Sequence, residues 1–131
     1  MLTELVDYDF YIDNYEGSSI PESSFKNMSI KASAYVNKNT YNRIKESNID
    51  NNIKNCTCEI AELLYSQETK KNVIENNKVV ASETVGTHSK SYVNNVALLD
   101  KQILTNSELE TSCYKICYKY LATTGLMYRG F

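Results

Sequence analysis

Histidine is almost missing from this chain of 131 residues, His88 being the single one, and glycine occurs only four times. So few glycines leave no glycine-rich loop to cradle a phosphate, and one imidazole leaves little general acid-base capacity near neutral pH. No apolar run approaches the roughly 20 residues of a transmembrane helix. The start, MLTELVDYDFY, lacks the basic-then-apolar layout of a secretory signal. A formal charge of -2 gives no electrostatic reason to expect nucleic acid or an anionic membrane as the main partner. The expectation is a protein made and kept in the cytoplasm, or assembled from it, with no membrane partner.

What is present suits one domain: 42% hydrophobic and 23% charged residues, in a chain too short for two ordinary domains. Charge is spread unevenly. Residues 1–25 hold Glu4, Asp7, Asp9, Asp13, Glu16 and Glu22 with no base, whereas residues 111–131 hold Lys115, Lys119 and Arg129 with no acid. Opposite ends of opposite sign suit a subunit meeting complementary neighbours in a repeating assembly. Asparagine clusters such as NNIKN and IENNK read as genome composition rather than mechanism.

Three stretches carry helical periodicity. In SSIPESSFKNMSIKASAYVNKNT, Pro21 is tolerated in a first turn, Ser18 or Ser19 can cap it, and Glu22 suits the positive end of the dipole. Phe25, Met28, Ala32, Tyr35 and Val36 then recur every three or four residues, predicting a helix over 20–37. From Asp50 as N-cap, Ile53, Cys56, Ile60, Leu63 and Leu64 share a face of a helix over 50–70. A third helix spans 107–123: Ser107 and Glu110 have capping-box spacing, Leu109, Cys113, Ile116, Cys117, Tyr120 and Leu121 form its stripe, and Gly125 stops it. VALLDKQIL, 96–104, reads as a short helical lead into it. Ahead of the first helix, DYDFYIDNYEG is aromatic without a clean period and reads as an extended or irregular arm.

Between the second and third helices lies NKVVASETVGTHSKSYV. Val79, Ala81, Glu83 and Val85 alternate with Val80, Ser82 and Thr84, and Gly86 interrupts the run before Ser91 and Tyr92. Two short strands joined around Gly86 and Thr87 fit this pattern. An isolated hairpin is marginal in water, so it needs helices to pack on or a neighbouring strand to pair with. The predicted fold is mainly α, a small bundle of three to four helices with an inserted β-hairpin. The single domain divides into an arm (1–19), helices (20–75), the hairpin (78–93), further helices (96–123) and a tail (124–131).

Candidate chemistry is thin. Cys56, Cys58, Cys113 and Cys117 raise a zinc reading, but Cys56 and Cys58 sit about 200° apart around a helix and face opposite sides. Cys113 and Cys117 share the apolar stripe, where a free thiol behaves as a small hydrophobe. Buried, reduced cysteines are expected, with neither metal nor cofactor. His88 lacks a nucleophile in reach, because Ser89 would point to the other face of a strand and no GxSxG elbow occurs. Glu59 with Glu62 reads as a solvated helix face, and Glu108 with Glu110 as a capping turn. No enzyme is expected.

The order of signals resembles the head-tail connector proteins of tailed bacteriophages and prophages, the small adaptor subunits that form a ring under the portal. The resembling pieces are YIDNYEGSSIPESSFKNMSIKASAYVNKNTYNRI near the start, VASETVGTHSKSY, and the ending YLATTGLMYRGF. Together they touch most of the chain from 11 to 131. The resemblance implies a helical virion protein in a homo-oligomeric ring, usually a dodecamer. That ring joins the portal protein to a stopper or tail-completion protein and surrounds the channel through which DNA passes without sequence-specific binding. It implies no catalytic residues. Matching positions suggest Ser82, Glu83, Val85, Gly86, His88, Ser91 and Tyr92 as an inter-subunit hairpin. They also suggest Leu126, Met127, Tyr128, Arg129 and Phe131 as a tail docking on the portal or a neighbour, aromatic and apolar types suited to interface anchors. The alternatives are another phage assembly role, as stopper or tail-completion protein, and a small metal-binding or regulatory domain.

Overall fold

The computed structural model describes residues 3–83 and 103–127, with residues 75–83 as backbone alone. These residues are mainly helical. Helix α1 spans Tyr8–Asp13, α2 Glu22–Asn39, α3 Asn51–Glu83 and α4 Asn106–Leu121, followed by a single 3-10 turn, Ala122–Thr124. Helix α3 packs against both α2 and α4, α2 also meets α4, and α1 lies on α2.

The first residues run extended along α2 and are tied there through side chains that composition alone places at a surface. Ser29 donates to the carbonyl of Val6 at 2.7 Å, and Ser33 accepts from the amide of Leu5 at 2.9 Å. Both serines are fully buried. Standing four residues apart, they share a face of α2 and satisfy arm groups that would otherwise be buried without partners. The predicted irregular arm is corrected beyond this point. Asp7 accepts from the amide of Phe10 and caps the short helix α1, a local N-cap that outweighs the missing apolar period.

Helix α2 forms where its periodicity predicts, with Phe25, Met28, Ala32 and Val36 buried. Its N-cap is Pro21, without a side-chain cap bond, so neither Ser18 nor Ser19 caps it. The C-terminus closes in a Schellman arrangement: the amide of Asn42 donates to Asn37 O at 2.8 Å and that of Tyr41 to Lys38 O at 3.4 Å. Tyr41 and Asn42 occupy the left-handed region, at φ 55° and 58°. Ile44 from the following loop is buried, and Asn48 braces that loop by accepting from Lys45 N and donating to Arg43 O. Asn42 and Asn48 thus do structural work beyond genome composition.

Asp50 caps α3 as expected, its Oδ1 accepting from Ile53 N at 3.0 Å. Along Ile53 to Leu64 this helix is buried on several sides: Ile53, Cys56, Thr57, Cys58, Ile60, Ala61 and Leu64. A helix covered by α2, α4 and the N-terminal segment needs apolar or internally bonded residues around most of its circumference, and Thr57 turns its hydroxyl back to Ile53 O. The helix then continues to Glu83, which corrects two expectations. It does not stop near residue 70, and residues 78–83, including Ser82 and Glu83 of the predicted first strand, are helical. Extending an existing helix adds a backbone hydrogen bond for each residue ordered, whereas a new two-stranded hairpin must form its own nucleus. Residues 84–93, the rest of that hairpin, and most of the short helical piece at 96–104 lie outside the described residues.

Helix α4 buries Cys113, Cys117 and Leu121, as its stripe predicts. Its capping box is Thr105 with Glu108, one S/T-x-x-E frame earlier than Ser107 with Glu110. Gly125 ends it at φ 80°. No helix among the described residues is long and apolar enough to cross a membrane.

Candidate functional site

Two carboxylates on α3 organise the aromatic residues around them. Glu62 accepts from the phenols of Tyr11 and Tyr15, at 3.0 and 2.8 Å. One turn earlier, Glu59 accepts from Tyr120 at 3.0 Å and from Lys119 Nζ at 2.7 Å. The solvated face expected for this pair is corrected, because both side chains are half-buried and bonded across the fold. Tyr11 also accepts from the amides of Ser19 and Ile20, and its ring stacks on Phe25, centroids 4.9 Å apart. Burial and the adjacent glutamate raise Tyr11 and Tyr15 above the ordinary tyrosine range, and the same causes, with Glu59, push Tyr120 up to about 12. Tyrosines held this firmly in their neutral form serve as donors joining α1, α3 and α4, and they are poor proton carriers near neutrality. Their roles lie beyond sequence patterning, since the partners stand forty-seven to sixty-one residues apart.

The four cysteines are free and buried. Cys56 donates its thiol hydrogen to Cys117 Sγ across the α3/α4 contact at 3.7 Å, and Asn39 Nδ2 approaches the same sulfur at 3.8 Å. Donation from Cys56, and secondarily from Asn39, lowers Cys117, while the shared hydrogen and burial raise Cys56. Cys58, on the other side of α3, and Cys113 are each pushed up to about 12, by burial first. Among the described residues no group of three or more His, Cys, Asp or Glu side chains is placed to hold a metal ion.

The predicted tail divides. Leu126 and Met127 are half-buried against the core, and the carbonyls of Gly125 and Leu126 accept from Arg43 Nη1 at 3.2 and 3.3 Å. Arg43 also lies over the Tyr41 ring, 5.2 Å from its centroid. Tyr128, Arg129 and Phe131 lie outside the described residues, as do Val85, Gly86, His88, Ser91 and Tyr92.

The surface carries two features of note. Tyr114 and Tyr118, one turn apart on α4, stack with centroids 6.4 Å apart and are 47% and 58% exposed. The six N-terminal carboxylates are all exposed, and none joins the ion pairs Lys31–Glu68, Lys38–Glu110 and Lys119–Glu59 found among the described residues. At the basic end, Lys119 is already matched by Glu59. Comparison with known proteins yields no matching family model, no similar curated protein and no similar solved structure.

Proposed function

We propose that this chain is a structural subunit of a tailed-phage neck, an adaptor whose copies form a ring between the portal and a stopper or tail-completion protein, around the DNA channel. The observation that carries this reading is the exposed Tyr114–Tyr118 pair. Tyrosine is a preferred anchor in protein interfaces, and two stacked rings turned to solvent on one helix supply a rigid plate for a neighbouring subunit. The exposed carboxylates of the N-terminal segment add negative charge for a complementary neighbour. The order of signals that resembles head-tail connectors supports the same assignment, and the tyrosine–glutamate clusters described above stabilise the fold.

In this reading Ser82, Glu83, Val85, Gly86, His88, Ser91 and Tyr92 make the inter-subunit contact, with Ser82 and Glu83 contributed by the end of α3. Tyr128, Arg129 and Phe131 dock on the portal or a neighbour. Leu126 and Met127 instead help to close the subunit's own core, so a truncation testing the docking role starts at Tyr128. The expected results are rings of the purified protein by electron microscopy and native mass spectrometry, alone or after mixing with portal protein, and loss of portal attachment when residues 128–131 are removed. A protein that stays monomeric under both conditions overturns the proposal. Binding to tail proteins but not to portal assigns the stopper or tail-completion role instead.

A further inference from the structure

Cys56 and Cys117 are the one thiol pair among the described cysteines joined by a direct contact between two different helices. A surface cleft of about 300 Å³ opens between α2 and the first half of α4, walled by Tyr35, Asn39, Thr111 and Tyr114. Asn39 is both a wall of this cleft and the amide against Cys117 Sγ, so one side chain links the cleft to the buried sulfur. Its amide is held in place by donation to Tyr35 O at 3.0 Å.

We propose that Cys56 and Cys117 form an oxidant-responsive dithiol, reached through the Asn39 cleft by a small hydroperoxide and closing to a disulfide that fastens α3 to α4. Cys117 is the attacking sulfur, because the Cys56 thiol and the Asn39 amide both donate toward it and favour its thiolate. The Cys117 thiolate attacks one peroxide oxygen, the O–O bond breaks, and hydroxide leaves and takes up a proton as water. Cys117 is thereby oxidised to a sulfenic acid. Cys56 sulfur then attacks Cys117 Sγ, the S–O bond breaks, and the leaving oxygen departs as a second water carrying the Cys56 proton. Two thiols and one peroxide become one disulfide and two waters, the two electrons passing from the sulfurs to the peroxide oxygens.

Moving from 3.7 Å to a disulfide bond requires the sulfurs to close by about 1.7 Å. Cys58, on the other side of α3, and Cys113, one turn from Cys117 on the same helix, are internal controls. The closed loop would span 61 residues, between the beginning of α3 and the end of α4, and a cross-link over so long a loop restricts the unfolded chain strongly.

The test is to treat the folded, full-length protein with hydrogen peroxide, block the remaining thiols by alkylation, and map the sulfurs by mass spectrometry of a non-reduced digest. The expected product joins Cys56 to Cys117, leaves Cys58 and Cys113 alkylated, and shifts the denaturant midpoint upward in a manner reversed by dithiothreitol. Cys56→Ser should leave Cys117 as a sulfenic acid captured by dimedone, and Cys117→Ser should abolish both products. Cys56→Ala and Cys117→Ala, with circular dichroism confirming the helices, serve if either serine variant unfolds. Oxidation first at Cys58 or Cys113, cross-links only between molecules, or reaction only in denaturant would overturn the proposal.

Discussion

Tyr11 donates its phenolic hydrogen to Glu62 Oε2 while its oxygen accepts from the buried amide of Ile20. One hydroxyl thus joins α1, the turn before α2, and α3. Tyr11→Phe keeps the ring stacked on Phe25 but leaves the amides of Ser19 and Ile20 without this acceptor. An orphaned buried amide makes the expected loss about 2 kcal/mol in urea denaturation, with an unchanged m-value. Gly17 lies against the same ring, and a Cβ there would overlap Tyr11 Cε1 and Cζ. Because Tyr11 is fully buried and cannot swing away, Gly17→Ala should cost about 3 kcal/mol. A neutral Gly17→Ala would show that this packing is loose.

The start of α4 contains two overlapping S/T-x-x-E frames, and only that of Thr105 and Glu108 closes. Thr105→Ala should cost about 1 kcal/mol, whereas Ser107→Ala should stay within about 0.5 kcal/mol, both by thermal or urea denaturation. Hydrogen bonds donated to the carboxylate by the backbone amide of Thr105 and by its side chain hold Glu108 below its ordinary range. A carboxylate with a lowered folded pKa contributes stability above its unfolded value and loses it as pH falls through the folded value. The Thr105→Ala deficit should therefore narrow in acid, and an equal loss in the two alanine variants would place the cap elsewhere.

Burial and the neighbouring carboxylates raise Tyr11, Tyr15 and Tyr120, the last to about 12 from an ordinary value of 10.0. Between those two values the unfolded chain ionises Tyr120 while the folded chain keeps it protonated. Its contribution is thus complete below pH 10.0 and is lost as pH rises toward 12. Tyrosinate absorbance followed against pH should show late-titrating phenols appearing together with loss of helical circular dichroism. Tyr120→Phe should remove one of them. Ionisation of every tyrosine near 10 with the helices intact would contradict the network.

Tyr114 and Tyr118 face solvent, so replacing both by serine should change monomer stability by only about 0.5 kcal/mol for each site. If they anchor a neighbouring subunit, the protein concentration needed for assembly should rise by about tenfold or more, since an interface hot spot exceeds roughly 1 kcal/mol. Sedimentation or mass photometry across a dilution series checks this. Unchanged assembly would move the interface away from α4.

Much of the helical layout was legible because it depends on short-range chemistry. The apolar spacing of Phe25, Met28, Ala32 and Val36 marked α2, Asp50 marked the start of α3, and Gly125 marked the end after α4. Choosing between Thr105 and Ser107 was not possible from spacing, because both frames satisfy it. Gln67 of α3 accepts from the amide of Leu104, which anchors the chain just before Thr105, where the backbone is extended at φ -67° and ψ 165°. A long-range contact therefore selects the frame. The end of α3 was missed for a related reason: alternating residues at 78–83 match a strand, but the helix already running through Ile74 is extended more readily than a hairpin is nucleated.

By itself the sequence determined that the chain would be mainly helical, where α2 and α4 would lie, and that Cys113 and Cys117 would face inward. Helical periodicity and termination act within a few residues and need no partner. Tertiary structure alone decided that Ser29 and Ser33 lie under the N-terminal arm, and that Glu59 and Glu62 gather tyrosines from both ends of the chain. A polar side chain can be buried only where a specific distant group satisfies it, and the identity of that group is set by how the helices pack.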